Sequence, residues 1–144
     1  MTRLRKILPL LIFLSAAHPA FPQHPGHFYN VDTEIKVEGI IKDISLEPRY
    51  KDRSPFLVVT LEERLSKDIY TVEISPSWFF GEDVHKGENL EVTGSVVSTA
   101  DRGKILIARQ IRFRGETIDL RDRQGFPSWR GGPDRKGRRR GRGI

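Results

Sequence analysis

Apolar and polar residues alternate with a period of two through most of residues 33 to 113, which predicts β-strands and leaves little room for helix. In 33–46, TEIKVEGIIKDISL, Ile35, Val37 and Ile41 fall on one face, and Ile40, Ile44 and Leu46 on the other. That change of parity beside Gly39 predicts a bulge or sharp coil in one long strand, the device by which a strand serves two sheets and closes a small barrel. Residues 56–62, FLVVTLE, are apolar on both faces, as in a central strand, and follow a charged connection bracketed by Pro48 and Pro55. A third strand over 69–74 turns Tyr70, Val72 and Ile74 one way.

The run Ser75-Pro76-Ser77-Trp78-Phe79-Phe80-Gly81 then breaks the alternation. Ser75 suits a cap, Pro76 a first helical position and Gly81 a stop, so one short helix is expected here, its aromatic triplet plugging the open end of a barrel. Residues 88–98 alternate again, with Leu90, Val92, Gly94 and Val96 in phase. ADRGK at 100–104 makes a hairpin turn into a fifth strand, KILIARQIRF, and ETIDLRD at 116–122 offers a short sixth. Five strands with a short helix between the third and fourth is the element order of an all-β OB-fold, a partly open Greek-key barrel. A β-sandwich is the competing architecture, and the strand count is low for it.

The two ends follow other rules. Arg3, Arg5 and Lys6 precede the apolar run ILPLLIFLSAA at 7–17, and small residues follow at the end of that run, which is the layout of a secretory leader. The run is short for a membrane span, so cleavage is expected after Ala17, with Ala20 as the second choice. The mature chain is then exported to a periplasm, with 18–32 as an N-terminal extension and 33–130 as the barrel with its closing segment. At the other end 131–144 reads GGPDRKGRRRGRGI. It has too little apolar surface to offset its ordering entropy, so a disordered cationic tail is expected, with Arg135, Lys136, Arg138, Arg139, Arg140 and Arg142 available to a polyanion or lipid headgroups.

Charge changes meaning once it is placed. The chain of 144 residues carries 25 Lys and Arg against 19 Asp and Glu, a net +6. Residues 18–130 nevertheless hold 16 basic against 18 acidic groups, a net of −2, while 131–144 holds 6 against 1. The expected barrel is slightly acidic and the basicity sits at the ends. The absence of cysteine excludes disulfides, thiolate metal sites, a Cys nucleophile and a lipoprotein anchor.

Few residues offer chemistry. OB-folds bind oligonucleotides or saccharides over strands two and three, flanked by the loops between strands one and two and strands four and five. Arg49, Lys51 and Arg53 in the first loop could meet phosphates while Tyr50 stacks, with Arg102 and Lys104 on the opposite flank. His24 and His27 are weak candidates for a transition metal, without a nearby acidic or sulfur ligand. No nucleophile elbow, zinc-helix motif or phosphate loop is present, so neither an enzyme nor a cofactor is expected.

Several segments together carry a resemblance: the leader, V-E-G-I-I at 37–41, P-S-W at 76–78, K-G-E-N-L-E-V-T-G-S at 86–95 and the closing L-R-D-R-Q-G-F-P-S-W at 120–129. They resemble small exported bacterial OB-fold proteins of poorly defined function, some associated with magnetosomes and some labelled DNA-binding largely from their fold. The resemblance covers about residues 29–130, and its most specific element is the set Leu120, Arg121, Asp122, Gly125, Pro127 and Trp129. It implies a noncatalytic domain with no catalytic residues to carry over. The expectation is therefore an exported binding or accessory module, for a small molecule, saccharide or protein partner, with a tail for anionic surfaces. A nucleic-acid-binding protein, disfavoured by export, and a metal-handling protein using the N-terminal histidines are the alternatives.

Overall fold

A computed structural model of the chain describes residues 28–48, 54–80, 83–130 and 139–140. The strands are β1 (Glu34–Glu47), β2 (Phe56–Glu63), β3 (Ile69–Pro76), β4 (Asn89–Thr99), β5 (Gly103–Phe113), β6 (Glu116–Asp119) and β7 (Arg139–Arg140), with helix α1 (Ser77–Phe80) between β3 and β4. They run in the order β3-β2-β1-β4-β5-β6-β7, and a parallel pairing of β3 with β5 closes the first five strands into a barrel. The all-β Greek-key expectation, the short helix and the sixth strand all hold.

β1 makes the closure, because it pairs with β4 through its first half and with β2 through its second. At Gly39 both partners are present at once, Glu63 on one side and Leu90 on the other. A β carbon there would lie 2.1 Å from the carbonyl oxygen of Glu62, so no side chain fits. The bulge itself falls farther along, between Ile41 and Asp43. The consequence corrects the two-face reading of this strand: Val37 and Ile41 are buried and Ile44 packs against the core, whereas Ile40 and Leu46 are exposed.

A second irregularity lies opposite it. The β4–β5 register shifts between Thr93 and Gly94, skipping Arg109 on β5. Leu106 and Ala108 point inward before the bulge, Ile111 and Phe113 after it, so an uninterrupted period of two misplaces half of this strand. The carbonyl of Arg109, freed from the ladder, accepts the N–H groups of Leu120 (2.8 Å) and Arg121 (3.0 Å) and starts the closing segment on its path.

The helix begins later than capping rules predict. Pro76 still pairs with Phe56 in β3, and the N–H of Ser77 donates to Pro55 at 2.9 Å, so Ser75 is a buried strand residue and not a cap. Phe79 and Phe80 are buried and Trp78 packs beside them, the plugging role expected of the triplet. Trp129 locks the arrangement from outside. Its ring meets Phe56 edge-on at 5.7 Å and Phe79 at 5.5 Å, with the Arg121 guanidinium 4.8 Å above it.

Two substitutions test this account. Gly39→Ala should destabilise the fold by about 2 kcal/mol or more in urea unfolding, because backbone has to move, whereas Ser98→Ala on the exposed side of β4 should stay within about 0.5 kcal/mol. Trp129→Ala should cost about 3 kcal/mol, since it uncovers Phe56 and Phe79 together.

Candidate functional site

The flank nominated from sequence is built from β1, β4 and β5. The turn between β4 and β5 is held by the N–H of Arg102 on Thr99 Oγ1 at 3.2 Å, and the Arg102 guanidinium reaches back to Glu47 at the end of β1, 3.1 Å away. That ion pair ties the β4–β5 turn to the root of the β1–β2 loop. A second terminal nitrogen of Arg102, Nη1, is buried without a hydrogen-bond partner, an unmet donor at the rim. Lys104 goes elsewhere: its ammonium sits 2.7 Å from Asp68 in the β2–β3 connection and 5.4 Å from the centre of the Tyr70 ring. The hydrogen bond to Asp68 raises its pKa above the ordinary lysine value. The two described cations of the nominated set are thus both engaged by carboxylates. Arg49, Tyr50, Lys51 and Arg53 lie outside the described residues, as do His24 and His27 and the side chains of the tail cations.

The face over β2 and β3 follows from the pleat. With Leu57, Val59 and Leu61 of β2 and Tyr70 and Val72 of β3 in the core, the residues turned outward are Phe56, Val58, Thr60 and Glu62 on β2, and Ile69, Thr71 and Glu73 on β3. None is Lys or Arg, and Glu62 and Glu73 are acidic. Glu73 is buried, opposite Val58 on one neighbour and Ile107 on the other. Phe56, Val58 and Glu73 are buried, so a ligand on this face would meet Thr60, Glu62, Ile69 and Thr71, with Glu62 paired to Lys42 at 3.7 Å. These strands supply neither the cation nor the accessible aromatic ring on which single-stranded nucleic acid is held.

An open groove of about 430 Å³ lies on another side, lined by Glu38, Asn89, Leu90, Glu91, Arg112, Arg114 and Gly115. Its charges are largely spent on neighbours: Glu38 holds Arg64 at 2.9 Å, Glu91 holds Lys36 at 2.9 Å, and Arg114 holds Glu88 at 2.8 Å. His85 is exposed, its Nδ1 3.6 Å from the Glu88 carboxylate. Among the described residues no group of three or more His, Cys, Asp or Glu could hold a metal ion.

One cluster escaped the sequence reading. Arg109, the bulge residue of β5, grips Glu34 with two hydrogen bonds of 2.9 and 2.8 Å, and the Tyr29 hydroxyl donates to the same carboxylate. The guanidinium bonds hold Glu34 below its ordinary pKa of 4.5, while burial, reinforced by the adjacent carboxylate, pushes the Tyr29 phenol up. Tyr29 also packs on Gly125, where a β carbon would lie 2.4 Å from its ring. The cluster therefore joins the start of β1, the bulge in β5 and the closing segment. No local pattern announces it, because Glu34 and Arg109 are 75 positions apart and meet only when β1, β4 and β5 are aligned.

A five-stranded barrel closed by β3 and β5, capped by a short helix and wrapped by a C-terminal segment is a small OB-type β-barrel. The chain belongs to the MamS/MamX magnetosome protein family, whose profile matches residues 33–118. That match takes in all five barrel strands and stops short of 120–129, the segment on which the sequence resemblance leaned most. No curated protein matches the chain. Among solved structures, the chain is similar to the N-terminal domain of the PriB protein from Thermoanaerobacter tencongensis, a dimer, at 21% identity and a TM-score of 0.46, over 57% of this chain and 96% of that one. No helix among the described residues is long and apolar enough to cross a membrane.

The Glu34 pair has a definite pH signature. Because the folded pKa of Glu34 lies below 4.5, its contribution is complete above that value and is lost as pH falls through the folded pKa. Thermal unfolding followed from about pH 5 to about pH 3 should show the wild-type chain losing stability faster than Glu34→Gln; parallel curves would mean that the pair contributes nothing.

Proposed function

We propose that this protein is an exported, noncatalytic accessory module whose barrel receives a protein or small-molecule partner, and whose Arg-rich C-terminus attaches it to an anionic surface. The observation that carries the reading is the separation of charge. Of the nominated barrel cations the two described ones, Arg102 and Lys104, are paired with Glu47 and Asp68, and neither β2 nor β3 contains a Lys or Arg. The concentrated basic charge is in 131–144, with 6 basic groups against 1 acidic. Residues 1–17 act as the leader in this reading, so the +3 they carry is removed with them. Membership of a magnetosome family fits a protein that works at a membrane-bounded compartment. The lack of Lys and Arg on β2 and β3 argues against the nucleic-acid alternative, and the metal-handling alternative has no support beyond His24 and His27.

Cosedimentation with phosphatidylglycerol vesicles at low salt tests the tail. Basic residues near an anionic surface contribute about 1 kcal/mol each, so changing the six tail cations to Gln should weaken binding by at least about tenfold, and high salt should do the same to the wild-type chain. Arg102→Gln with Lys104→Gln should leave binding within about twofold, since both cations are already paired. Equal loss in that double variant would return the anion site to the barrel rim. Intact mass measured on the periplasmic fraction should lack residues 1–17; a chain that retains Met1 would remove export from the reading.

A further inference from the structure

β6 is an outrigger. It pairs with β5 along one side only, Gln110 to Asp119 through Phe113 to Glu116, after a two-residue turn in which Arg114 and Gly115 both have positive φ. It lies beyond the closed barrel, so its other side would be a bare row of backbone donors and acceptors, the kind of edge that recruits a strand. That edge is occupied. Arg139–Arg140 forms β7 against it, antiparallel, with Arg140 opposite Thr117 and Arg139 opposite Ile118.

Three features fit this edge to an arginine-rich segment. Glu116 and Asp119 bound the short strand and Asp122 follows it, so three acidic residues stand within seven positions, opposite in charge to the tail. The tail can reach, because eight residues separate Arg130 from Arg139 and an extended chain covers roughly 3.3–3.6 Å per residue. The hold is slight, two residue pairs against the six cations that an anionic surface could engage at once.

We propose that the outer edge of β6 is a docking strand for the chain's own Arg-rich tail, and that this seat and an anionic surface compete for the same segment. The competition rests on the tethering role proposed above; the seat itself does not. While the tail is seated, the β6 edge is blocked against other strands. When an anionic surface draws the tail away, the edge opens for strand addition by a partner, so attachment and partner recruitment become linked.

Residue-resolved amide hydrogen exchange on the full-length mature chain tests this. Successive amides along a strand point to opposite edges, so of Thr117 and Ile118 one faces β5 and the other faces β7. The β7-facing amide is that of Thr117, because Ile118 and Leu120 face β5. It should exchange at least about tenfold more slowly in the wild-type chain than in Arg140→Pro, which removes the N–H opposite it, with Arg140→Ala closer to wild type. Phosphatidylglycerol vesicles should bring the wild-type rate to that of Arg140→Pro. An unprotected amide in the wild-type chain, or one indifferent to the proline, overturns the seat. Protection that disappears on dilution together with a dimer mass in light scattering also overturns it, in favour of the tail of a second copy. Vesicles that bind the chain yet leave the amide protected overturn the competition. A chain that does not bind vesicles at all refutes the tethering role instead, and the proline comparison still decides the seat.

Discussion

The barrel depends on one strand having two partners at the same place. Where β1 passes from β4 to β2, the backbone of Gly39 is flanked by both, and the carbonyl of Glu62 occupies the space that any side chain would need. The bulge that follows, between Ile41 and Asp43, turns the strand and lets Ile44 join Val37 and Ile41 against the core. With β1 fixed in this way, β2 and β4 diverge on its two sides, and β3 and β5, each carried one strand farther, meet as a parallel pair. Tyr70, Val72, Leu106 and Ala108 then fill the interior from both sides of that seam.

Period-two alternation, turn chemistry and a single proline-led break were enough to read five strands and a short helix in order, because each of those signals is local. What the sequence concealed is what depends on alignment between distant strands. A bulge shifts phase by one residue, and nothing in KILIARQIRF marks Arg109 as the residue skipped. The parity change in β1 was visible but assigned beside Gly39, where the true constraint is the close approach of another backbone. Ser75 and Pro76 have the composition of a helix start, yet pairing with Leu57 and Phe56 keeps them in the sheet. For the candidate site, the order of loops placed Arg102 and Lys104 at the barrel mouth. Their neutralisation by Glu47 and Asp68 required the third dimension.

Charge is therefore distributed by a simple physical division of labour. Inside the fold, cations meet carboxylates at 2.7 to 3.1 Å in the pairs that matter for architecture, Arg102 with Glu47, Lys104 with Asp68 and Arg109 with Glu34. Such pairs align loops and strand ends, and they leave little field to attract a distant polyanion. The concentrated positive charge lies in 131–144, with 6 basic groups against 1 acidic. A module of this kind can change what it attaches to without altering how it folds.

The clasp around Trp129 has a mechanical meaning. Trp129 stands one residue before the last described position of the closing segment, wedged against Phe56 and Phe79 and covered by Arg121. If the C-terminus is fastened to a surface, tension along it arrives first at this ring, and then through Gly125 at Tyr29 and through Leu120 at the Arg109 carbonyl. Force is thereby shared between the two ends of the barrel and the middle of β5, and the hairpin of β5 and β6 is spared from being peeled strand by strand. The segment outside the family match is the one that would bear the load.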